Sequence, residues 1–176
     1  MNNKQERILA VSSQGGHWIQ LQRMQPAFAN YQIHYVCTDP AREVDVHGNA
    51  CFHNVVEASR WNKFLLLYQA FQILWLLIKV RPSAVISTGA ASGYFAVRFA
   101  KMMGIRTIWV DSMANVDELS LSGRKALKYA DAFYTQWENL AVGSILYRGN
   151  VLGAEHKATP ELIPSSYEEL TAPCPT

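Results

Sequence analysis

The sequence predicts an α/β domain built on a doubly wound parallel sheet. Short β-branched runs recur between helical stretches, and turn chemistry follows each run, which is the pattern of successive βα units. Several runs, such as Ile8-Leu9-Ala10-Val11 and Ala84-Val85-Ile86, are apolar at consecutive positions instead of alternating. Unbroken runs of this kind belong to strands that helices cover on both faces. The chain has 176 residues, 49% of them hydrophobic and 17% charged, which is the size and texture of one compact soluble domain. With only 7 Pro and 10 Gly, disordered, collagen-like and low-complexity classes are excluded.

The first strand is Arg7–Ser12, and a helix over Trp18–Asn30 follows the Gly15-Gly16 turn. Strands Gln32–Thr38 and His53–Val56 come next. The long helix Trp61–Val80 stops at Arg81-Pro82, because proline cannot continue it. Strand Ala84–Thr88 runs through a small-residue loop into helix Gly93–Met103, which Gly104 ends with a residue suited to the left-handed cap. Strand Thr107–Asp111, a helix at about Asp117–Tyr129, and strands Ala132–Thr135 and Ile145–Tyr147 complete the domain. Beyond Gly153 the periodicity fades, and Pro160, Pro164, Pro173 and Pro175 are interleaved with Thr, Ser and Glu. The division is therefore a domain at 1–153 and a Pro-containing tail at 154–176, either disordered alone or docked on another chain.

A formal charge of +2, from 16 basic and 14 acidic residues, is too small for the footprint of a nucleic-acid binder. The three cysteines, Cys37, Cys51 and Cys174, contain no CxxC pair and fit a reducing compartment. No signal-peptide core follows the polar start, and the apolar stretch Phe64–Ile78 is broken by Gln69 and Gln72, short of the ~20 residues of a spanning helix. The expectation is a cytoplasmic chain that does not cross a membrane.

In a doubly wound sheet the ligand crevice lies beyond the carboxyl ends of the strands, so the loops after the first, fourth and fifth strands are where chemistry is sought. Ser12-Ser13-Gln14-Gly15-Gly16-His17 follows the first strand and opens a helix. Its glycines let backbone approach a ligand, and the helix amides attract phosphate. The same residues also fit a tight turn in which His17 only caps the helix. Ser87-Thr88-Gly89-Ala90-Ala91-Ser92-Gly93 repeats the arrangement after the fourth strand, and two such loops can face one crevice. No GK[ST] follows either loop, so kinase and NTPase readings drop out, and a dinucleotide reading weakens because the first loop lacks G-x-G-x-x-G and no acidic residue ends the second strand. Asp111 ends the fifth strand, either as a general base alongside His17 or as the brace of a turn. His47, Cys51 and His53 fall short of a four-ligand zinc set, so no metal is assigned.

Between Glu57 and Asp111 there is no acidic side chain, whereas Arg60, Lys63, Lys79, Arg81, Arg98, Lys101 and Arg106 supply seven cations. Within that basic half, helix Trp61–Val80 shows only a narrow polar stripe, at Asn62, Gln69, Gln72 and Lys79. One sheet cannot bury the rest, which leaves Phe64, Trp75 and their neighbours for a bilayer surface or another protein. Apolar aromatics between cationic ends suit an interfacial helix, so Trp61, Lys63, Phe64, Trp75, Lys79 and Arg81 are the expected membrane contacts. The alternative is a central helix enclosed by the fold.

Gly-Gly-His after the first strand, the apolar helix ending Lys79-Val80-Arg81-Pro82, the Ser-Thr-Gly…Ser-Gly loop and the closing Gln136-Trp137-Glu138-Asn139-Leu140-Ala141 together resemble a polysaccharide-biosynthesis family. That family is related to the membrane-anchoring subunit of the eukaryotic dolichol-linked N-acetylglucosaminyltransferase. The chain is also similar to the N-terminal half of the bacterial enzyme that adds N-acetylglucosamine to lipid-linked peptidoglycan precursor. The likeness runs from about Ile8 to Gly153.

The resemblance implies a single Rossmann-like domain of the GT-B N-terminal type, one half of a glycosyltransferase divided between two chains. The partner chain would hold the UDP-sugar, and this one the lipid-pyrophosphate acceptor. Carried over, Gly15, Gly16 and His17 would line the acceptor pyrophosphate, Gly89, Ser92 and Gly93 would complete the pocket, and Asp111 would sit near the acceptor sugar. The first loop departs from the family, beginning Ser12-Ser13-Gln14 where the peptidoglycan enzyme is richer in glycine. The N-terminal span of the eukaryotic subunit is also not seen here, so anchoring is expected to rest on the basic apolar helix.

The expected function is transfer of a sugar from a UDP donor to a polyprenyl-pyrophosphate-linked saccharide in exopolysaccharide or capsule assembly. The expected location is the cytoplasmic face of the inner membrane, peripherally bound, with no cofactor or metal and no activity alone. Two other classes fit the residues: a self-sufficient small enzyme using a nucleotide or phosphosugar, and a non-catalytic adaptor that recruits a partner to the membrane.

Overall fold

The computed structural model describes residues 5–59, 61–151 and 153. Arg60 and the tail at 154–176 lie outside the described residues. Seven parallel strands form one sheet in the order β3-β2-β1-β4-β5-β6-β7. They are β1 (Arg7–Val11), β2 (Gln32–Cys37), β3 (Cys51–Asn54), β4 (Ala84–Ser87), β5 (Arg106–Val110), β6 (Ala132–Thr135) and β7 (Ile145–Tyr147). The order reverses between β1 and β4, which makes that gap the switch point of the sheet.

Side-chain alternation in β1 explains why Ile8 to Val11 are all apolar. Leu9 and Val11 face a core closed by α2 (Lys63–Val80), α3 (Ala90–Met102) and α4 (Leu121–Ala126), through Ile73, Leu77, Val97 and Ala126. Ile8 and Ala10 face the opposite layer, where α1 (Gly16–Arg23) supplies Trp18 and Leu21 and a 3-10 turn supplies Phe28. Helical elements therefore lie on both faces, as a doubly wound sheet requires.

Several element boundaries differ from the sequence expectation, each for a local reason. The first helix ends at Arg23 instead of Asn30, because Pro26 lacks a backbone N–H and the chain tightens into the 3-10 turn Gln25–Phe28. The third strand is Cys51–Asn54 rather than His53–Val56. Val56 leaves the sheet because α2 holds it from both sides: its N–H donates to Gln72 Oε1 (2.9 Å), and its carbonyl accepts from Gln69 Nε2 (2.7 Å). The fourth helix shrinks to Leu121–Ala126 because Ser120, its N-cap, accepts from the Gly123 N–H at 2.8 Å. Asn62 caps α2 in the same way, and Arg81 ends it in the left-handed conformation at φ 50°.

The stripe on α2 also faces differently from the expectation. Gln69, assigned by sequence to the polar stripe, is 1% exposed and points into the fold, while Phe64 is 88% exposed. The outward face is thus mostly apolar, since the glutamines are consumed as internal clamps on Val56. By length and composition, at mean hydropathy 1.5, this 18-residue helix could cross a membrane, but Ile73 and Leu77 fix its other face to the sheet.

Candidate functional site

The loops after β1 and β4 meet at the switch point. Leaving β1, Ser12 stays paired to the sheet through its N–H to Val36 O (3.0 Å), and Gln14 N–H reaches Thr38 Oγ1 (3.2 Å). Gly15 then turns with φ +72°, a conformation that favours glycine, and caps α1 without any side-chain bond. Among the described residues, nothing beyond the adjoining backbone lies within 4 Å of where a β-carbon of Gly15 or Gly16 would stand, so the outer side of this turn is open to a ligand. Neither α1 nor α3 carries an acidic residue in its first turn. Both therefore present uncompensated amide N–H groups and the positive end of the helix dipole.

His17 joins the two loops. Its carbonyl accepts from Thr88 Oγ1 at 2.8 Å, and its Nδ1 pairs with Ser13 Oγ at 2.8 Å. Its ring rests on Gly89, where a β-carbon would sit 2.6 Å from Nε2. Gly89 has φ +141°, and Ala90, opening α3, holds φ +64°, a strained value for a residue with a side chain. Burial pushes the His17 pKa below its ordinary 6.5, partly opposed by the negative charge of Asp111. The ring is therefore mostly neutral at neutral pH, with no described residue bonded to Nε2.

The remaining expected site residues separate into different roles. Ser92 and Gly93 are sealed inside rather than set along the crevice wall. Ser92 Oγ is buried without a hydrogen-bond partner, and a β-carbon on Gly93 would collide with Ser87 Oγ at 1.8 Å. Gly93 is there for close packing of α3 on β4. Asp111 is 1% exposed, and its carboxylate accepts from Trp109 Nε1 (3.0 Å), Ser120 Oγ (2.6 Å) and the Ser120 N–H (2.9 Å). Those bonds make it the brace of the turn into α4 and leave it poorly placed to take a proton from substrate. Trp61, Lys63, Phe64, Trp75, Lys79 and Arg81 all lie exposed on or beside α2, with Lys79 Nζ 5.1 Å from the Trp75 ring centre.

Sequence reasoning missed Gln20. It is fully buried, its Nε2 donates to Asp111 O (3.0 Å) and Val110 O (3.3 Å), and its Oε1 accepts from the Met113 N–H (3.1 Å). It thereby ties α1 to the end of β5 behind the crevice. The available signal was an amide between Trp18 and Leu21 on the inward side of α1. His53 pairs with His34 rather than with His47 or Cys51, and among the described residues no group of three or more His, Cys, Asp or Glu could hold a metal.

A parallel sheet of this order, with two small-residue loops at its switch point, makes this a Rossmann-like domain, the fold it shares with MurG-like GT-B proteins. Among solved structures, Acinetobacter baumannii MurG superposes with TM-score 0.67 at 14% identity, over 81% of this chain and 45% of that one. The chain belongs to the family described as "Oligosaccharide biosynthesis protein Alg14 like", whose pattern matches residues 5–150. It is similar to the UDP-N-acetylglucosamine transferase subunit ALG14 of Eremothecium gossypii, with 29% identity over 115 residues, 62% of this chain and 49% of that protein. It is also similar to the subunit of the same name from Yarrowia lipolytica, with 36% identity over 72 residues, 38% of this chain and 33% of that protein. The matches thus span half or less of these relatives.

Proposed function

We propose that this chain is the acceptor-binding subunit of a two-chain GT-B glycosyltransferase. The observation that carries the reading is the His17 ring lying on Gly89 at the switch point, between the starts of α1 and α3, with Nδ1 held by Ser13 and Nε2 against Gly89. The pyrophosphate of a polyprenyl-linked saccharide lies over Gly15 and Gly16 and reaches the mouth at Gly89, where helix amides and dipoles offset its charge. The partner chain brings the UDP-sugar, taken as UDP-N-acetylglucosamine from the names of the relatives, to the same cleft.

In the reaction His17 Nε2 removes the proton from the acceptor hydroxyl as that oxygen attacks the anomeric carbon, and UDP departs with the bonding electrons. Ser13 holds the opposite ring nitrogen. With the Ser13 hydroxyl turned to Gln14 O (3.4 Å), it accepts from Nδ1–H and leaves the lone pair on Nε2. The lowered pKa keeps that lone pair available at neutral pH. Asp111 is a positioning residue, acting on His17 through its charge and on the turn into α4.

The exposed face of α2 rests on an anionic bilayer, bringing the lipid-linked acceptor to the crevice. Peripheral binding at the cytoplasmic face of the inner membrane, in exopolysaccharide or capsule assembly, is the setting we infer for it. The test is sugar transfer from labelled UDP-N-acetylglucosamine to a polyprenyl-pyrophosphate saccharide. Turnover is expected only when this chain and its UDP-sugar-binding partner are combined. Strong turnover by this chain alone overturns the division of labour.

A further inference from the structure

The sheet layer that holds α1 is only partly covered by helix. Trp18, Leu21 and Phe28 pack over β1 and β2, and beside them a groove of about 700 Å³ runs across β4, β5 and β6. Its floor is apolar, with Ile8, Ile86, Ile108 and Val110, and its rim carries Arg106 and Arg148, with Glu6 the one acid among the described lining residues. Chain leaving β7 is pinned at the edge of this groove. The Val151 carbonyl accepts from Arg23 Nη1 (3.2 Å), and the Val151 N–H donates to Gln136 Oε1 (2.9 Å). Asn150 and Val151 themselves line the groove, so the chain beyond starts at its mouth.

We propose that the occupant of this groove is residues 160–170 of the same chain. Eight residues lie between Gly153 and Leu162, nine steps along the chain with a reach of up to ~30 Å at about 3.3 Å per residue, enough to cross three or more strands. The segment carries the apolar side chains the floor needs. These are Leu162, Ile163, Tyr167 and Leu170. Its charge is complementary as well: Glu161, Glu168 and Glu169 are its acids and it holds no Lys or Arg, opposite Arg106 and Arg148 on the rim. The domain thereby supplies its own cover for the second face of the sheet. This assignment is independent of the acceptor site, which lies beyond the carboxyl ends of β1 and β4.

The test uses the full-length chain with labelled isoleucine methyl groups. In the double variant L162D/I163D, the Ile8, Ile86 and Ile108 resonances are expected to shift, while Ile73, on the opposite layer, stays in place. The variant R106E/R148E is expected to move the same resonances and to lower amide-exchange protection across residues 160–170 by tenfold or more. Groove resonances that ignore both variants overturn the proposal. So do resonances that shift only with protein concentration, which marks a second copy as occupant, or only on adding the sugar-nucleotide-binding chain, which marks that partner.

Discussion

His17 and Gly89 are in contact so close that the glycine cannot acquire a β-carbon without moving the imidazole, the shortest approach being 2.6 Å to Nε2. The pair joins the loop after β1 to the loop after β4, and the positive φ of Gly89 adds backbone strain to any substitution. His17→Ala is expected to lower turnover of the reconstituted pair by about 10²–10⁴ with little change in unfolding midpoint. Gly89→Ala is expected to lower turnover by at least about 10², because it displaces the same ring. The double variant should be no worse than His17→Ala, which steady-state rates of the three proteins check. Additive losses would separate the two residues.

Asp111 is expected to report on stability rather than on proton transfer. Three donors converge on a carboxylate that is 1% exposed, so Asp111→Asn sets an amide N–H₂ against at least one of them. The expected loss is about 2–4 kcal/mol in urea unfolding, the cost of unpaired buried donors. Gly123→Ala should be costly in a related way, since its β-carbon would stand 2.5 Å from Asp111 Oδ1. An Asp111→Asn protein of normal stability but abolished turnover would return the residue to the chemistry.

The outward face of α2 predicts a clean separation between membrane binding and folding. Phe64 is 88% and Trp75 51% exposed, so Phe64→Ser with Trp75→Ser removes little of the core. The double variant is expected to lose most binding to anionic vesicles in a sedimentation assay, with its thermal midpoint unchanged. Lys63→Gln, Lys79→Gln and Arg81→Gln should each weaken binding about fivefold at low salt, at ~1 kcal/mol per charge. Binding that is equal on neutral and anionic vesicles would remove the electrostatic part of this account.

The fold was legible because its signals are local and repeated. Ile8 to Val11 carries two faces of core in four consecutive apolar positions, and Arg81-Pro82 and Gly104 end helices by backbone chemistry alone. The boundaries that shifted depend on distant partners: Val56 leaves the sheet for Gln69 and Gln72, and α4 begins where Asp111 holds Ser120. Gln69 illustrates the same limit within a helix, since helical spacing places it on a stripe but cannot say that a carbonyl on another segment will draw it inward. At the site, the glycine loops were visible from composition. That Gly89 receives His17 whereas Gly93 only admits Ser87 requires the third dimension.

The stacked histidines across β2 and β3 predict an acid-sensitive stability that does not involve the crevice. The His34 and His53 rings lie 4° from parallel, with Nδ1 of the first 2.9 Å from Nε2 of the second. Burial, then the neighbouring His53 and Arg7, push the His34 pKa from 6.5 down to about 4, and burial with Lys79 lowers His53. The unfolded chain therefore binds protons more readily than the folded one between these values, so stability drops as the pH is lowered through that window. The contribution is complete above about pH 6.5 and is withdrawn as pH drops toward 4. For His34 alone the loss is about 2 kcal/mol between pH 7 and pH 5, a range above most carboxylate titration. Urea unfolding of the parent chain at those two values should show it. His34→Gln, which cannot take a proton, should reduce the difference to the part that His53 and His17 contribute, and an unchanged pH slope in that variant would show that the acid sensitivity arises elsewhere.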